Sequence, residues 1–192
     1  MKRAAIFSLL SLAFGVLFSP VSLAQDEAPV DAPISSKKAD KKKQPDSPVV
    51  KAVKKMKKVK GRLNAKADYY IYLFSASWCG PCCKEMPEIV EHHKKMKKDG
   101  RVDIILMGKD DSPAEVKAFI KQFNMKFYAV MASDKNAPKV PGFTSPSGIP
   151  FCIVVDRYGR VMAQSHPAGI IPNWEAYTID KGVPEPPAET EK

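Results

Sequence analysis

Five short runs of apolar and β-branched residues recur between residues 69 and 164, and each has the length of a β-strand. The first run, Tyr69 to Phe74, contains no charged position, which is typical of a strand buried on both faces. The last two runs flank Asp156-Arg157-Tyr158-Gly159, in which Gly159 occupies a hairpin-turn position that needs a positive φ. The pattern therefore predicts strands at 69–74, 102–107, 127–131, 151–155 and 160–164.

Helical spacing fills the gaps between these runs. Residues 79–98 repeat apolar positions every three or four residues, which predicts a helix with one buried face. Ser112-Pro113-Ala114-Glu115 is a capping box with proline at the first helical position, so a second helix begins there. A short closing helix is expected near 173–177. This order of elements predicts the α/β class, with a central mixed β-sheet flanked by helices on both faces.

The N-terminal segment has the composition of a signal peptide. Lys2 and Arg3 precede an uncharged, apolar-rich stretch, and Ser22-Leu23-Ala24 supplies small residues at a cleavage site. An uncleaved membrane anchor is the alternative, but the stretch is shorter than the ~20 residues that a spanning helix needs. We therefore expect cleavage after Ala24 and a periplasmic or secreted protein.

The next segment is rich in lysine and proline, and we expect it to be disordered. Apolar positions between Val49 and Val59 are also compatible with a short basic helix at its end. The C-terminal residues are rich in proline and glutamate and are expected to be loose. The predicted organisation is a signal peptide at 1–24, a disordered linker at 25–58, one folded domain at 59–182 and a disordered tail at 183–192.

The charge of the chain is concentrated in this linker. The formal net charge is +10, and residues 26–60 contain eleven lysines against five acidic residues. Such a segment is a candidate for weak contact with an anionic surface, and a solvated linker is the alternative. No aromatic residue is interleaved with the lysines, so the stacking platform of single-stranded nucleic acid binders is missing, and we expect no nucleic acid partner.

The chemistry is carried by Cys79-Gly80-Pro81-Cys82, at the junction of a predicted strand and helix. Cys79 falls at the helix N-terminus, where free backbone N–H groups and the helix dipole favour a thiolate. Cys82 lies one turn later, close enough to form a disulfide with Cys79. A zinc site would need a second cysteine pair or suitably spaced histidines, and a structural disulfide would not need the strand–helix junction. The pattern favours a redox pair.

These residues resemble the thioredoxin superfamily, over about residues 60–180. The segment Phe74-Ser75-Ala76-Ser77-Trp78-Cys79 is similar to nucleoredoxins and tryparedoxins. The Cys-Gly-Pro-Cys motif followed by Lys84-Glu85-Met86-Pro87 is similar to exported redoxins of the TlpA-like group, and Gly148-Ile149-Pro150 matches the cis-proline loop of the superfamily. The resemblance implies a thioredoxin-like domain at 59–182, with a redox disulfide between Cys79 and Cys82. It also implies a substrate-binding surface, made of Trp78, Gly80, Pro81, Ile149 and Pro150.

The resemblance singles out Glu85 as a third catalytic candidate. Exported redoxins carry an acidic residue near the resolving cysteine, where it can influence proton transfer, and a solvated helix glutamate is the alternative. Thioredoxins proper have a buried aspartate six residues before the first cysteine, and Leu73 stands at that position here. This departure argues against a housekeeping thioredoxin and leaves Glu85 as the nearest acid–base group.

Two further cysteines leave a second function open. Cys152 is expected to be a small core residue, and Cys83 an inert helix thiol. Cys83 nevertheless creates a Cys-x-x-x-Cys spacing with Cys79, and together with His166 it resembles exported copper-delivery proteins of the same fold. The alternative function is therefore copper binding through Cys79, Cys83 and His166.

The function that the resemblance favours is an exported thiol–disulfide oxidoreductase, acting as a disulfide reductase. Cys79 attacks a substrate disulfide and Cys82 resolves the mixed disulfide, so no metal site or organic cofactor is expected. The expected partners are disulfide-containing proteins and an upstream electron donor, and we expect a monomer.

Overall fold

The computed structural model describes residues 47–178. The predicted signal peptide, linker residues 25–46 and the C-terminal tail lie outside the described residues. No helix between residues 47 and 178 is both long enough and apolar enough to cross a membrane. The described helices are α1 (Pro48–Val53), α2 (Gly80–Asp99), α3 (Pro113–Gln122) and α4 (Pro167–Ile170), with short 3-10 helices at Ala137–Lys139 and Trp174–Tyr177.

The strands form one six-stranded mixed sheet in the order β1-β4-β3-β2-β5-β6. β2, β3 and β4 are parallel, β5 and β6 are antiparallel additions on one side, and β1 pairs antiparallel with β4 on the other. The predicted α/β class with a central mixed sheet is confirmed. The strands are β1 (Lys58–Lys60), β2 (Tyr69–Ser75), β3 (Val102–Gly108), β4 (Tyr128–Met131), β5 (Phe151–Asp156) and β6 (Val161–Ser165).

Both faces of the sheet are covered, and the central strand β2 shows why. Successive side chains of a strand point to opposite faces, and all seven residues of β2 are buried. Ile71 and Leu73 belong to the core with α2, α3 and α4, whereas Tyr70 and Tyr72 belong to a second core with α1. Helices flank both faces, as the order of elements predicts.

The linker prediction is wrong for residues 48–58, which are part of the folded unit. Val49, Val50 and Val53 of α1 are fully buried against the sheet. The Ser47 hydroxyl accepts a hydrogen bond from the Val50 N–H at 3.0 Å and caps the helix. The high lysine content misleads here because the lysines occupy only the exposed positions of α1 and β1.

The predicted strands and the two long helices are present, with ends displaced by a residue or two, whereas β1 and the 3-10 helix at Ala137–Lys139 are not predicted. The capping box of α3 is formed in both directions between Ser112 and Glu115. In the β5–β6 hairpin, Asp156 Oδ1 accepts hydrogen bonds from the Tyr158 and Arg160 N–H groups, and Gly159 has a φ of 92°. The closing helix is a 3-10 turn, and α4 precedes it as an element that the pattern does not predict.

Candidate active site

The two cysteines of the motif lie where β2 ends and α2 begins. Cys79 is the N-cap of α2, and its Sγ accepts a hydrogen bond from the Cys82 N–H at 3.2 Å. Gly80 and Pro81 are the first two helical residues, where the missing N–H of proline costs no intrahelical bond. Cys79 and Cys82 are joined by a disulfide, with their Cα atoms 5.2 Å apart.

The two sulfurs differ in exposure. Cys79 is 5% exposed and Cys82 is fully buried, so only the first can be approached by another protein. Trp78, which is 66% exposed, stands directly before Cys79, and Gly80 and Pro81 are also exposed. The surface around Cys79 is therefore apolar and open, and it surrounds the accessible sulfur.

The loop before β5 closes the other side of the disulfide. The Ile149–Pro150 peptide bond is cis, and the Ile149 carbonyl oxygen lies 3.8 Å from Cys79 Sγ. The Ile149 side chain packs against the small cluster that contains both cysteines. A groove runs past this loop between residues 146–151 and residues 164–166, which are the end of β6 and the His166 cap of α4. The structure thus places Ile149 and Pro150 at the redox pair.

Glu85 lies one turn after Cys82 on α2 and is partly buried. Its Oε1 is 3.3 Å from His166 Nε2, while its Oε2 is buried and has no hydrogen-bond partner among the described residues. Glu85 also acts on Cys152 of β5. Burial raises the pKa of the Cys152 thiol, and the negative charge of Glu85 raises it further. One oxygen of the carboxylate, Oε2, is therefore directed into the protein.

Comparison with known proteins agrees with this geometry. A family model described as "Thioredoxin-like" matches residues 67–161, which include the strand, the cysteine pair and the proline loop. These residues form a thioredoxin-like domain. Tryparedoxin I from Crithidia fasciculata superposes with a TM-score of 0.54 over 74% of this chain and 100% of that chain, at 21% identity. At this identity the likeness shows the thioredoxin fold alone.

Curated relatives share the central part of the chain. The thiol-disulfide oxidoreductase ResA of Bacillus cereus is 38% identical over 89 residues, which is 46% of this chain and 49% of the relative. The thiol:disulfide interchange protein HelX of Rhodobacter capsulatus is 29% identical over 91 residues, 47% of this chain and 48% of the relative. The chain spans about half the length of these relatives.

The set of residues that would bind copper is not assembled in the described part of this protein. The Cys83 thiol donates a hydrogen bond to the Ser77 carbonyl oxygen at 3.3 Å, and His166 is directed to Glu85. Across residues 47–178, no three or more His, Cys, Asp and Glu side chains are arranged to hold a metal ion. The structure gives the copper alternative no support.

Two neighbouring residues that hold the site were missed by the sequence analysis. Asp110 is buried, and its Oδ1 accepts hydrogen bonds from the Ser77 N–H at 2.8 Å and the Ser77 hydroxyl at 2.5 Å. Lys109 donates from Nζ to the Pro146 carbonyl oxygen at 3.1 Å. Both follow β3, which is parallel to β2, so they reach the edge of the sheet where the cysteines lie. A polar pair directly after a buried strand was the available signal.

Proposed function

We propose that this protein is an exported thiol–disulfide oxidoreductase that reduces disulfide bonds in other proteins. The observation that carries the proposal is the unequal exposure of a Cys79–Cys82 disulfide at a helix N-terminus. One sulfur can meet a substrate, and the other is held behind it within bonding distance. The names of ResA and HelX, which describe the same chemistry, support it.

The reaction proceeds in two exchange steps from the reduced protein. The Cys79 thiolate attacks one sulfur of the substrate disulfide, forms a mixed disulfide and releases the first substrate thiolate. The Cys82 thiolate then attacks Cys79 Sγ and releases the second substrate thiolate. Two electrons pass to the substrate, the leaving thiolates take up protons, and the Cys79–Cys82 disulfide is formed. A separate electron donor must reduce it again.

The helix end supplies the activation that the first step needs. The Cys82 N–H, which is directed at Cys79 Sγ at 3.2 Å, is one of the free donors of the first turn of α2. A negative sulfur is stabilised there by this donor and by the helix dipole. Since Cys82 sits inside the helix and is fully buried, its thiol is the resolving group.

The substrate would lie in the groove beside the cis-proline loop. The Ile149 carbonyl oxygen is next to Cys79 Sγ, so an extended substrate segment that pairs with this loop brings its disulfide onto that sulfur. The exposed Trp78 and Pro81 offer apolar contact on the opposite side. Backbone pairing and apolar contact suit unfolded or flexible protein segments of varied sequence.

Export is proposed from the N-terminal pattern of residues 1–24. Fractionation of cells that produce the full chain, with N-terminal sequencing of the recovered protein, tests it. Recovery outside the cytoplasm with residue 25 as the new N-terminus is expected. A cytoplasmic protein that retains Met1 would refute export.

Insulin reduction in the presence of dithiothreitol tests the reaction. Cys79→Ser should abolish catalysis, and Cys82→Ser should accumulate mixed disulfides that survive denaturing, non-reducing gels. Cys83→Ser is the matched control and should keep the wild-type rate, because this neighbouring thiol is hydrogen-bonded to a backbone carbonyl. Substantial turnover by the Cys79→Ser protein would refute the assignment.

The reduction potential of the Cys79–Cys82 pair tests the direction of the reaction. A reduction potential near the roughly −270 mV of thioredoxin favours a reductase, and one near about −120 mV favours an oxidase.

A further inference from the structure

Both ring nitrogens of His166 make polar contacts. It is the N-cap of α4, and its Nδ1 accepts a hydrogen bond from the Ala168 N–H at 3.3 Å. Its Nε2 lies 3.3 Å from Glu85 Oε1. A neutral imidazole whose Nδ1 accepts carries its proton on Nε2, so the ring donates to the carboxylate. The backbone of α4 thereby orients the ring towards Glu85.

The contact orients one oxygen of Glu85 and leaves the other for the protein interior. Oε2 is buried without a hydrogen-bond partner among the described residues, although a carboxylate oxygen in such a place is ordinarily paired. Glu85 is three residues after Cys82, so the two side chains are neighbours on one face of α2. An unpaired oxygen on the residue one turn after the resolving cysteine is an acceptor for the proton that this thiol must lose.

The surroundings of Glu85 contain few other charges. Cys82 and Glu88 are the titratable groups on the same face of α2, and Cys152 faces it from β5. Glu88 is directed to His92, at 3.8 Å, and its side chain is 70% exposed. The rest of the depression between α2 and α4 is lined by apolar residues, namely Ile89, Pro167, Ala168, Ile171 and Pro172. His166 is thus the group here that can hold the carboxylate in one orientation.

We infer that His166 is a positioning residue for Glu85. The oriented Glu85 carboxylate accelerates the second exchange step, in which Cys82 resolves the mixed disulfide. The inference rests on the proposed function. His166 acts through Glu85 and not on the sulfurs directly. It fixes the carboxylate so that Oε2 accepts the Cys82 proton as the Cys82 sulfur attacks Cys79 Sγ and the substrate thiolate leaves.

Two substitutions separate this function from simple helix capping. His166→Asn places an amide where Nδ1 was, so the α4 cap is kept, but the side chain is too short to reach Glu85. His166→Gln places an amide donor where Nε2 was and is a poor cap. If His166 only caps α4, the glutamine variant should be the one with the slower second exchange step. If His166 positions Glu85, the asparagine variant should be the one with the slower second exchange step.

The two exchange steps can be timed with Ellman's reagent, a small aromatic disulfide whose released thiolate is coloured. The reduced protein in a Cys83→Ser background, which removes a competing thiol, releases one thiolate when Cys79 attacks and a second when Cys82 resolves. We expect His166→Asn to slow the second release by about three- to tenfold, as for loss of one partly exposed charge-assisted hydrogen bond. The first release should stay within about twofold.

Further variants decide the inference. His166→Gln should keep the second rate within about twofold of the parent, and His166→Asn should add no further slowing in a Glu85→Gln background, because the pair acts as one unit. Equal second rates in the parent and in His166→Asn, or slowing that multiplies in the double variant, would overturn the inference alone. A parent protein that never releases the second thiolate would refute the proposed function and this inference with it.

Discussion

Replacing Val50 by alanine tests whether α1 belongs to the folded unit. Val50 is fully buried in the core between α1 and the sheet, together with Tyr70 and Tyr72. The substitution removes two methyl groups without adding a polar atom. Alanine also favours the helix, so any loss of stability comes from packing and not from helix propensity.

The expected loss follows from the buried surface. Two methyl groups correspond to about 1.6 kcal/mol of transfer free energy, and the cavity that remains raises the total to about 2–3 kcal/mol. For a folded unit of this size, 1 kcal/mol changes the unfolding midpoint by about 3–5 °C. Val50→Ala should therefore lower the midpoint by about 6–15 °C.

Thermal and urea unfolding, followed by circular dichroism, give the measurement. Lys51→Ala is the control, because Lys51 is on the same helix with an exposed side chain, and it should change the free energy of unfolding by less than about 0.5 kcal/mol. Deleting residues 1–46 should leave the midpoint close to that of the full chain, whereas deleting residues 1–57 should abolish cooperative unfolding. If Val50→Ala and Lys51→Ala had the same unfolding midpoint, the assignment of α1 to the core would be refuted.

Three other outcomes are expected. Asp110→Ala leaves the Ser77 N–H without its acceptor, so it should lower the free energy of unfolding by about 2–3 kcal/mol and slow insulin reduction. Asp110→Asn keeps an acceptor and should lower the free energy of unfolding by less. Gly61→Ala should cost more than about 1 kcal/mol, because Gly61 has a φ of +84° and a Cβ would lie 1.9 Å from the Phe127 carbonyl oxygen; a midpoint equal to wild type would contradict this. Since the pKa of the Cys152 thiol is raised, the thiol stays protonated between pH 7 and 9. Mass spectrometry should therefore find Cys152 unmodified by iodoacetamide in the folded protein and modified in urea. Labelling of Cys152 in the folded protein would contradict its assignment as a buried, protonated thiol.

Local signals were sufficient for the elements that carry the cysteines. β2 begins with an unbroken apolar run, Tyr69 to Phe74, and β3 is an apolar run interrupted by Asp103, because both faces of the sheet are covered. α3 has a complete capping box. These patterns depend on neighbours within a few residues, so they can be read from one segment at a time. The position of Cys79 at the start of α2 follows from the same kind of local information.

The parts that sequence reasoning missed or left open depend on tertiary contacts. The three valines of α1 are flanked by lysines, and only the packed sheet shows that the lysines are confined to one side. α4 has four residues, too few for a periodic pattern. Glu85 and His166 are 81 residues apart and meet because the hairpin of β5 and β6 returns the chain to α2. Each of these contacts has to be found in space.

The carboxylate near the redox pair enters from a different element than in thioredoxins proper. Their buried aspartate would stand at position 73, where this protein has Leu73, fully buried and paired in register with Cys152. The strand therefore offers the sulfurs an apolar neighbour, and the charge comes from Glu85 on α2. A carboxylate on a helix surface is freer to turn towards solvent than one inside a strand, so it needs a partner to direct it. The His166 ring, held by α4, provides that direction, which gives the short helix after β6 a function in the chemistry of the site.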